Sequence, residues 1–348
     1  MGIQQMFLGV GVGLYSGDLA IGHGSSPQLS VYTWTSGTGF GTKYADPSVE
    51  PISACVGVGF NPDATVLAAG HYQSPYVAAW AWTKGTGFGT KYSNPSTLPT
   101  GTGQKISWSP DGTDLAVIHH TSPQISVYPW SSGFGTKYAN PSTLPASTSY
   151  DGEFSPDGAD LAVAHSGSPK ISVYPWSSGF GTKYANPSTL PAGDGRGVAW
   201  SPDGTDLAVG HTSTPFITVY PWSSGFGTKY SNPSTMLGIW AQGRGVAFSP
   251  DGADIAIADS NTPYVAAWAW TSGTGFGTKY SNPSTLPAGT GYNVGWSPDG
   301  ADIIVTHSTS PYVSAYPWTS GTGFGTKYSN PSTLPAGNPG YDFSFTPA

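Results

Sequence analysis

The chain has 348 residues and a formal net charge of −7, and only 9% of its residues are charged whereas 14% are aromatic. Its 49 glycines and 32 prolines favour short strands with tight turns and exclude a disordered chain. The 12 Lys and Arg residues are scattered, which excludes the basic stripe that binding to nucleic acid requires.

The N-terminal residues 1–14 are mildly apolar. No basic segment precedes them, and no apolar run approaches the roughly 20 residues that span a bilayer. We therefore expect no signal peptide, no membrane partner and a soluble protein of the cytoplasm or of a virus particle. Cys55 is the single cysteine, so the sequence offers neither an internal disulfide nor a cysteine metal cluster.

A repeated unit of 46 to 48 residues follows and fills the rest of the chain. Its seven copies share one apolar position, which is occupied by Leu19, Leu67, Leu115, Leu161, Leu207, Ile255 and Ile303. A period of this length is typical of solenoids and propellers. Neither end of the chain resembles the polar cap that a solenoid needs, so the repeat favours a propeller.

The copy at 197–235 shows the elements of one unit in chain order. Apolar and β-branched residues predict strands at 198–200, 207–210, 216–220 and 227–230. Ser-Pro-Asp-Gly at 201–204 predicts the first turn, because proline presets φ and glycine accepts the left-handed conformation. No segment has the period of a helix.

We therefore predict an all-β chain that forms one seven-bladed β-propeller with four antiparallel strands per blade. The blades lie at 10–52, 53–102, 103–148, 149–194, 195–240, 241–289 and 290–337. Two segments compete for the inner strand of blade one, residues 10–14 and the C-terminal residues 338–348. We favour the C-terminal strand, because Phe-Ser-Phe-Thr-Pro at 343–347 matches the first strand of the other copies, and the ring is then closed by pairing of the two ends.

Three segments of the repeat carry a family resemblance: Val-Ala-Trp-Ser-Pro-Asp-Gly at 198–204, Leu-Ala-Val-Gly at 207–210 and Ile-Thr-Val-Tyr at 217–220. They resemble the WD40-type repeat over nearly the entire chain, and the variant here is similar to repeats of bacterial and bacteriophage propeller proteins. The resemblance implies a propeller. Tyr-Pro stands where that family often has Trp-Asp, as at 128–129, so its internal hydrogen-bond network does not carry over.

A histidine recurs at one position in six copies: His23, His71, His119, His165, His211 and His307. Equivalent side chains of neighbouring blades would lie roughly 10 Å apart, twice the strand spacing, and metal bonds near ~2 Å cannot bridge that gap. A hydrogen bond across the blade hairpin or to the neighbouring blade and a ligand contact in some blades both remain open for these histidines.

The aspartates also recur, in five pairs such as Asp203 with Asp206. A catalytic pair needs two carboxylates in unlike surroundings, whereas these pairs repeat in near-identical ones, which favours roles in turns and at strand starts. No Gly-x-Ser-x-Gly element precedes a helix. We therefore predict no catalytic residues, no metal, no cofactor and no enzyme activity.

Positions that differ between copies are the remaining candidates for contacts with a ligand or partner: Tyr76, Phe216, Tyr264 and Tyr312 after a loop proline, and Met236 and Trp240 in an insertion unique to blade five. Together with the histidines they predict a non-catalytic, multivalent binding module, with a glycan as one ligand class and a phage particle as one setting. A protein-interaction scaffold that uses one propeller face is the alternative. Carbohydrate or protein partners are favoured over a small-molecule substrate, and a monomer is expected.

Overall fold

The computed structural model describes residues 14–236, 242–337 and 340–348. Its regular structure consists of 25 strands. In chain order they are β1 Ser16–His23, β2 Leu29–Thr35, β3 Gly39–Lys43, β4 Cys55–Phe60, β5 Val66–His71, β6 Val77–Thr83, β7 Gly87–Lys91, β8 Gly103–Trp108, β9 Asp114–His119, β10 Ile125–Pro129, β11 Ser149–Phe154, β12 Asp160–His165, β13 Ile171–Pro175, β14 Gly195–Trp200, β15 Asp206–His211, β16 Ile217–Pro221, β17 Gly243–Phe248, β18 Asp254–Asp259, β19 Val265–Thr271, β20 Gly275–Lys279, β21 Gly291–Trp296, β22 Asp302–His307, β23 Val313–Thr319, β24 Gly323–Phe324 and β25 Gly340–Phe345.

Seven small antiparallel sheets stand in a ring, which confirms the all-β, seven-bladed propeller. In blade order they are β25-β1-β2-β3, β4-β5-β6-β7, β8-β9-β10, β11-β12-β13, β14-β15-β16, β17-β18-β19-β20 and β21-β22-β23-β24. The described residues contain no helix that is long and apolar enough to cross a membrane.

Blade one is closed by the C-terminal strand, as predicted. β25 pairs with β1 in antiparallel register, with Leu19 opposite Phe345 and Ile21 opposite Phe343. The competing residues 10–13 lie outside the described part of the chain. The first blade is thus built from both ends of the sequence.

The fourth strand differs between blades. It is five residues long in blades one, two and six and two residues long in blade seven. In blades three to five it is reduced to a single bridge, such as Trp130 with Phe134. The third strands of blades three, four and five end in Tyr-Pro, whereas that of blade seven contains Tyr-Pro but continues to Thr319. Proline lacks the N–H that would continue the ladder.

The hydrophobic core lies between the blades rather than within them. Each of seven clusters joins two neighbouring sheets; one packs Ile171 of blade four against Leu207 and Trp222 of blade five. A tryptophan also donates from its indole Nε1 to a buried aspartate of the preceding blade, as from Trp222 to Asp160 at 2.9 Å. Five further interfaces repeat this bond: Trp34 with Asp302, Trp82 with Asp18, Trp176 with Asp114, Trp270 with Asp206 and Trp318 with Asp254. The second aspartate of each predicted pair therefore connects blades.

Candidate active site

The inner strands of the seven blades surround one central axis, and two of their positions differ strongly from blade to blade. The second residue of each inner strand forms what we call the upper ring: Tyr341, Val56, Gln104, Tyr150, Arg196, Arg244 and Tyr292 in blade order. The third residue forms the middle ring: Asp342, Gly57, Lys105, Asp151, Gly197, Gly245 and Asn293. The repeat is therefore broken at the axis.

Two cavities lie on this axis. The upper cavity has a volume of about 200 Å³ and is lined by the whole upper ring, by the middle ring except Gly57 and Gly197, and by Tyr72 and His120. The lower vestibule, of about 510 Å³, is lined by the following inner-strand residues, among them Ser107, Glu153 and Ala247. Lys105, Asp151 and Asn293 line both cavities, so the middle ring separates them.

Asp342 is the residue of the middle ring that binds groups from three other blades. This residue is buried, with 4% exposure. Lys105 Nζ donates to both carboxylate oxygens at 3.0 and 3.1 Å, and Asn293 Nδ2 donates to Oδ1 at 2.5 Å. The backbone N–H of Val58 donates to Oδ2 at 3.0 Å. One carboxylate thereby joins four blades.

Asp151 and Glu153 accept hydrogen bonds from the free edge of the next inner strand. Asp151 Oδ2 accepts from Val198 N at 3.0 Å, and Glu153 Oε2 accepts from Trp200 N at 3.0 Å. Burial raises the pKa of Asp151 above its ordinary value and raises the pKa of Glu153 to about 7. Both carboxyl groups are therefore better bases than exposed ones.

Lys105 stays cationic at the boundary between the cavities. Burial on its own lowers the pKa of this amine, but the carboxylates of Asp342 and Asp151 outweigh burial, and the pKa is raised. A protonated amine donates hydrogen bonds and cannot attack as a nucleophile. Lys105 can therefore stabilise negative charge in the upper cavity.

The middle ring contains glycine where two inner strands approach closely. A Cβ added at Gly245 would lie 2.1 Å from Asn293 Oδ1, and one at Gly197 would lie 2.1 Å from the carbonyl oxygen of Arg244. Glycine is thus required at these two positions. The polar side chains of the other blades occupy the space on the axis.

Both arginines of the chain lie in the upper ring, on adjacent blades. The guanidinium of Arg196 is 3.9 Å from the centroid of the Tyr150 ring, and that of Arg244 is 4.8 Å from the centroid of Tyr292. Neither buried Nε has a hydrogen-bond partner among the described residues. Two neighbouring cations that stack on tyrosine and have unpartnered donors supply the groups that binding of an anion requires.

Aromatic side chains complete the wall of the upper cavity. Tyr341 makes edge contacts with Tyr72 and Tyr292, with ring centroids 6.2 and 5.5 Å apart. His120 packs against Tyr150 at 5.3 Å. Burial, with the charge of Arg196 as a second cause, lowers the pKa of His120. This imidazole is therefore neutral at pH 7, and the wall suits a polar ring that can stack on tyrosine.

The six recurring histidines lie elsewhere, on the second strand of each blade, and all are buried. In five of them Nε2 lies 2.9 to 3.1 Å from a hydroxyl of the third strand, as between His165 and Ser172. Their hydrogen bond across the hairpin is confirmed in these blades. None of the six lines the upper cavity or the lower vestibule, and their role as ligand contacts stays a prediction.

These histidines should make the fold sensitive to acid. Burial lowers the pKa of all six to about 4. Between pH 6.5 and 4 the unfolded chain therefore binds more protons than the folded one. As the pH falls through that range, each histidine should reduce the free energy of unfolding by about 1.4 kcal/mol per pH unit. The full stabilisation is present above pH 6.5.

Urea unfolding measured at intervals from pH 7.5 to 4.5 checks this expectation. His165→Asn should flatten the slope by about one histidine's share, since the amide can still bond to Ser172 but does not titrate. An equal slope in the variant and the wild type would contradict it.

The other predicted contact residues are scattered. Tyr76, Tyr264 and Tyr312 are half-buried, whereas Phe216 is 3% exposed in the core between blades five and six. Met236 is 42% exposed, and Trp240 lies outside the described residues. The described members of this set do not line the cavities on the axis, and their role also stays a prediction.

Sequence reasoning missed the axial residues, although the sequence held a signal for them. Glu153 is one of two glutamates in the chain, and His120 is the one histidine outside the recurring position. With Arg196 and Arg244 they are residue types that break the repeat, and all four lie in the upper cavity or the lower vestibule. Comparing the first strands across copies would have identified Glu153, Arg196 and Arg244, and comparing the residues that follow the second strands would have identified His120.

The sequence matches no protein-family model and no curated protein. Solved structures share the fold. A protein of Bacteroides fragilis provisionally named 6-phosphogluconolactonase superimposes with a TM-score of 0.76 at 14% identity, over 95% of this chain and 98% of that one. A Bacteroides uniformis protein of the same provisional name gives 0.72 at 16%, over 95% and 99%. The periplasmic gluconolactonase of Pseudomonas aeruginosa gives 0.68 at 17%, over 95% and 99%.

These names overturn the functional predictions made from the sequence. The expectations of a non-catalytic binding module, of a protein-interaction scaffold and of no enzyme activity are wrong, because similar propellers are named as lactonases. The error arose from judging recurring residues, whereas the axis is lined by residues that do not recur. At 14 to 17% identity the similarity shows that this chain has the seven-bladed propeller fold of these proteins.

Proposed function

We propose that this protein is an enzyme that hydrolyses an anionic sugar lactone in the upper cavity. The observation that carries the proposal is the convergence on the axis of a carboxylate base, a fixed lysine and two arginines, from blades that share no catalytic motif. The lactonase names of the similar propellers support the same reaction class.

The cavity suggests how such a substrate would lie. A volume of about 200 Å³ suits one sugar ring rather than an oligosaccharide. Arg196 and Arg244 would bind a phosphate or carboxylate by paired N–H donors. The lactone carbonyl would then point toward the middle ring, with Tyr150 and Tyr292 beside the sugar.

Asp151 and Lys105 would perform the chemistry. Asp151 takes a proton from water as the water oxygen attacks the carbonyl carbon, and Lys105 donates a hydrogen bond to the oxyanion that forms. The bond between that carbon and the ring oxygen then breaks. Asp151 returns its proton to the ring oxygen, which becomes a hydroxyl, and the new carboxylic acid releases one proton to solvent.

A proton-release assay with 6-phosphogluconolactone and gluconolactone tests the proposal. The protein should accelerate hydrolysis of the phosphorylated lactone above its spontaneous rate, in proportion to enzyme concentration. A preparation of the Asp151→Asn variant serves as the control for contaminating lactonase. No acceleration with either lactone would overturn the proposal.

A further inference from the structure

We propose that Asp342 is a positioning residue that holds Lys105 away from Asp151, so that the candidate site is complete only when the C-terminal strand has closed the ring. The inference rests on the proposed function for its catalytic consequence. Its structural part, the control of the Lys105 amine by a residue 237 positions away, stands on geometry.

The first step is the reach of Lys105. This residue belongs to blade three, and its partner Asp342 belongs to blade one, with blade two between them. Blade two has Gly57 in the middle ring, and a Cβ there would lie 2.6 Å from the Cα of Lys105. The middle-ring position of blade two therefore carries no side chain between the two residues, and the Lys105 amine reaches the C-terminal strand directly.

The second step is the competition for that amine. Three carboxylates, those of Asp342, Asp151 and Glu153, act on the charge of Lys105. Asp342 binds it through both oxygens at 3.0 and 3.1 Å. Without this partner the flexible side chain would turn to the nearest remaining carboxylates. An ion pair with Asp151 would lower the basicity that this residue needs as the candidate base.

The third step is the attachment of the strand that carries Asp342. β25 is held by its pairing with β1 and by a latch at its end, where Asp18 N donates to Thr346 Oγ1 at 2.9 Å and Tyr15 OH donates to the Thr346 carbonyl at 2.5 Å. Ser344 Oγ accepts from Phe60 N at 3.1 Å. The strand pairing that closes the ring therefore also places Asp342 at the axis.

The experiment uses the full chain with Asp342→Asn, which keeps the shape and one acceptor oxygen but removes the charge. Ser344→Ala is the matched control, because it removes a side-chain bond to blade two from the same strand without touching Lys105. Two readouts are taken. One is kcat for 6-phosphogluconolactone at pH 7, and the other is competitive acetylation of the lysines by acetic anhydride at pH 9, followed by peptide mass spectrometry.

We expect Lys105 of the wild type to acetylate at least about tenfold more slowly than the exposed Lys84, because the half-buried Lys105 amine donates to both carboxylate oxygens of Asp342. Asp342→Asn should reduce that protection by about threefold or more, because one of the carboxylates that act on the amine is lost and the side chain must move to reach Asp151. The same change should lower kcat by about tenfold to a hundredfold. Ser344→Ala should change neither quantity by more than about twofold, an expectation for a side chain outside the site.

Equal acetylation of Lys105 and Lys84 in the wild type would overturn the inference even if Asp342→Asn fails to fold. Unchanged Lys105 reactivity in a folded Asp342→Asn protein would also overturn it, as would an equal loss of kcat in Ser344→Ala. Protection that depends on Asp342 in a protein without lactonase activity would instead reject the proposed function and leave the positioning of Lys105 in place.

Discussion

Replacing Asp151 by asparagine is expected to lower kcat for lactone hydrolysis by about a hundredfold or more, the usual contribution of a general base. The amide cannot take a proton from water, but its oxygen can still accept from Val198 N, as the carboxylate does at 3.0 Å. The fold should therefore survive. Initial rates by proton release, with a thermal melt of each protein, separate lost chemistry from lost structure.

Glu153→Gln is the matched control for this change. Glu153 lies two residues further along the same strand, caps the next strand in the same way and faces the lower vestibule instead of the upper cavity. Its replacement should reduce kcat by less than about threefold, since it makes no contact with a substrate in the upper cavity. The opposite result, a large loss in Glu153→Gln with little in Asp151→Asn, would move the base to Glu153.

The pH dependence of kcat/KM gives a second check on Asp151. The base must be ionised to act, and burial raises its pKa above the ordinary value of an aspartate. Activity should therefore decline on acidification at a higher pH than an exposed aspartate would give. A rate that stays constant well below the ordinary range of an aspartate would exclude this carboxylate as the base.

The fold could be predicted from the sequence because its determinants are local and repeated. The turn at Ser201 to Gly204 recurs in five of the seven copies, the neighbouring alternating strands recur in all of them, and Phe343 identifies the closing strand by its likeness to the other first strands. The outcome at the fourth strand was less predictable. The residues of the predicted fourth strand, such as 227–230, favour a strand when taken alone. Pro221 and its counterparts interrupt the hydrogen bonds between the third and fourth strands.

The site could not be predicted in the same way, because its contacts join residues from different blades. Lys105 and Asp342 are 237 positions apart, and Asn293 reaches the same carboxylate from blade seven. Each of these residues is an exception within its own copy of the repeat. Their meeting follows only when the ring is closed and the inner strands are superimposed.

The middle ring also shows why these carboxylates are compatible with a stable propeller. An inner strand exposes backbone N–H groups toward the axis, and such an edge needs partners. Three carboxylates accept hydrogen bonds from backbone N–H groups of the next blade: Asp151, Glu153 and Asp342. The same three residues line the axial cavities. Structural and chemical demands on these positions therefore coincide, which explains why charged groups occur at the centre of a chain with few charges.

Substitution of both arginines, Arg196→Met with Arg244→Met, is expected to lower kcat/KM for a phosphorylated lactone by about a hundredfold or more. Hydrogen bonds to charged groups contribute about 1.5 to 3 kcal/mol each, and this change removes both guanidinium groups together. Methionine keeps the length and the packing against Tyr150 and Tyr292. The rate constant for gluconolactone, which carries no anionic group, should change far less.

The ratio of the two kcat/KM values, measured on one preparation, is the decisive quantity, because a general loss of folded protein lowers both values equally. Arg244→Lys is a further control, because lysine keeps the positive charge at this position but lacks the planar guanidinium. It should give an intermediate ratio if paired N–H donors bind the anion. Arg244 also has a lowered pKa from burial and from the charge of Arg196, so an anion that enters between them relieves the repulsion of two cations. A ratio unchanged by the double substitution would show that the arginines do not select the substrate's anionic group.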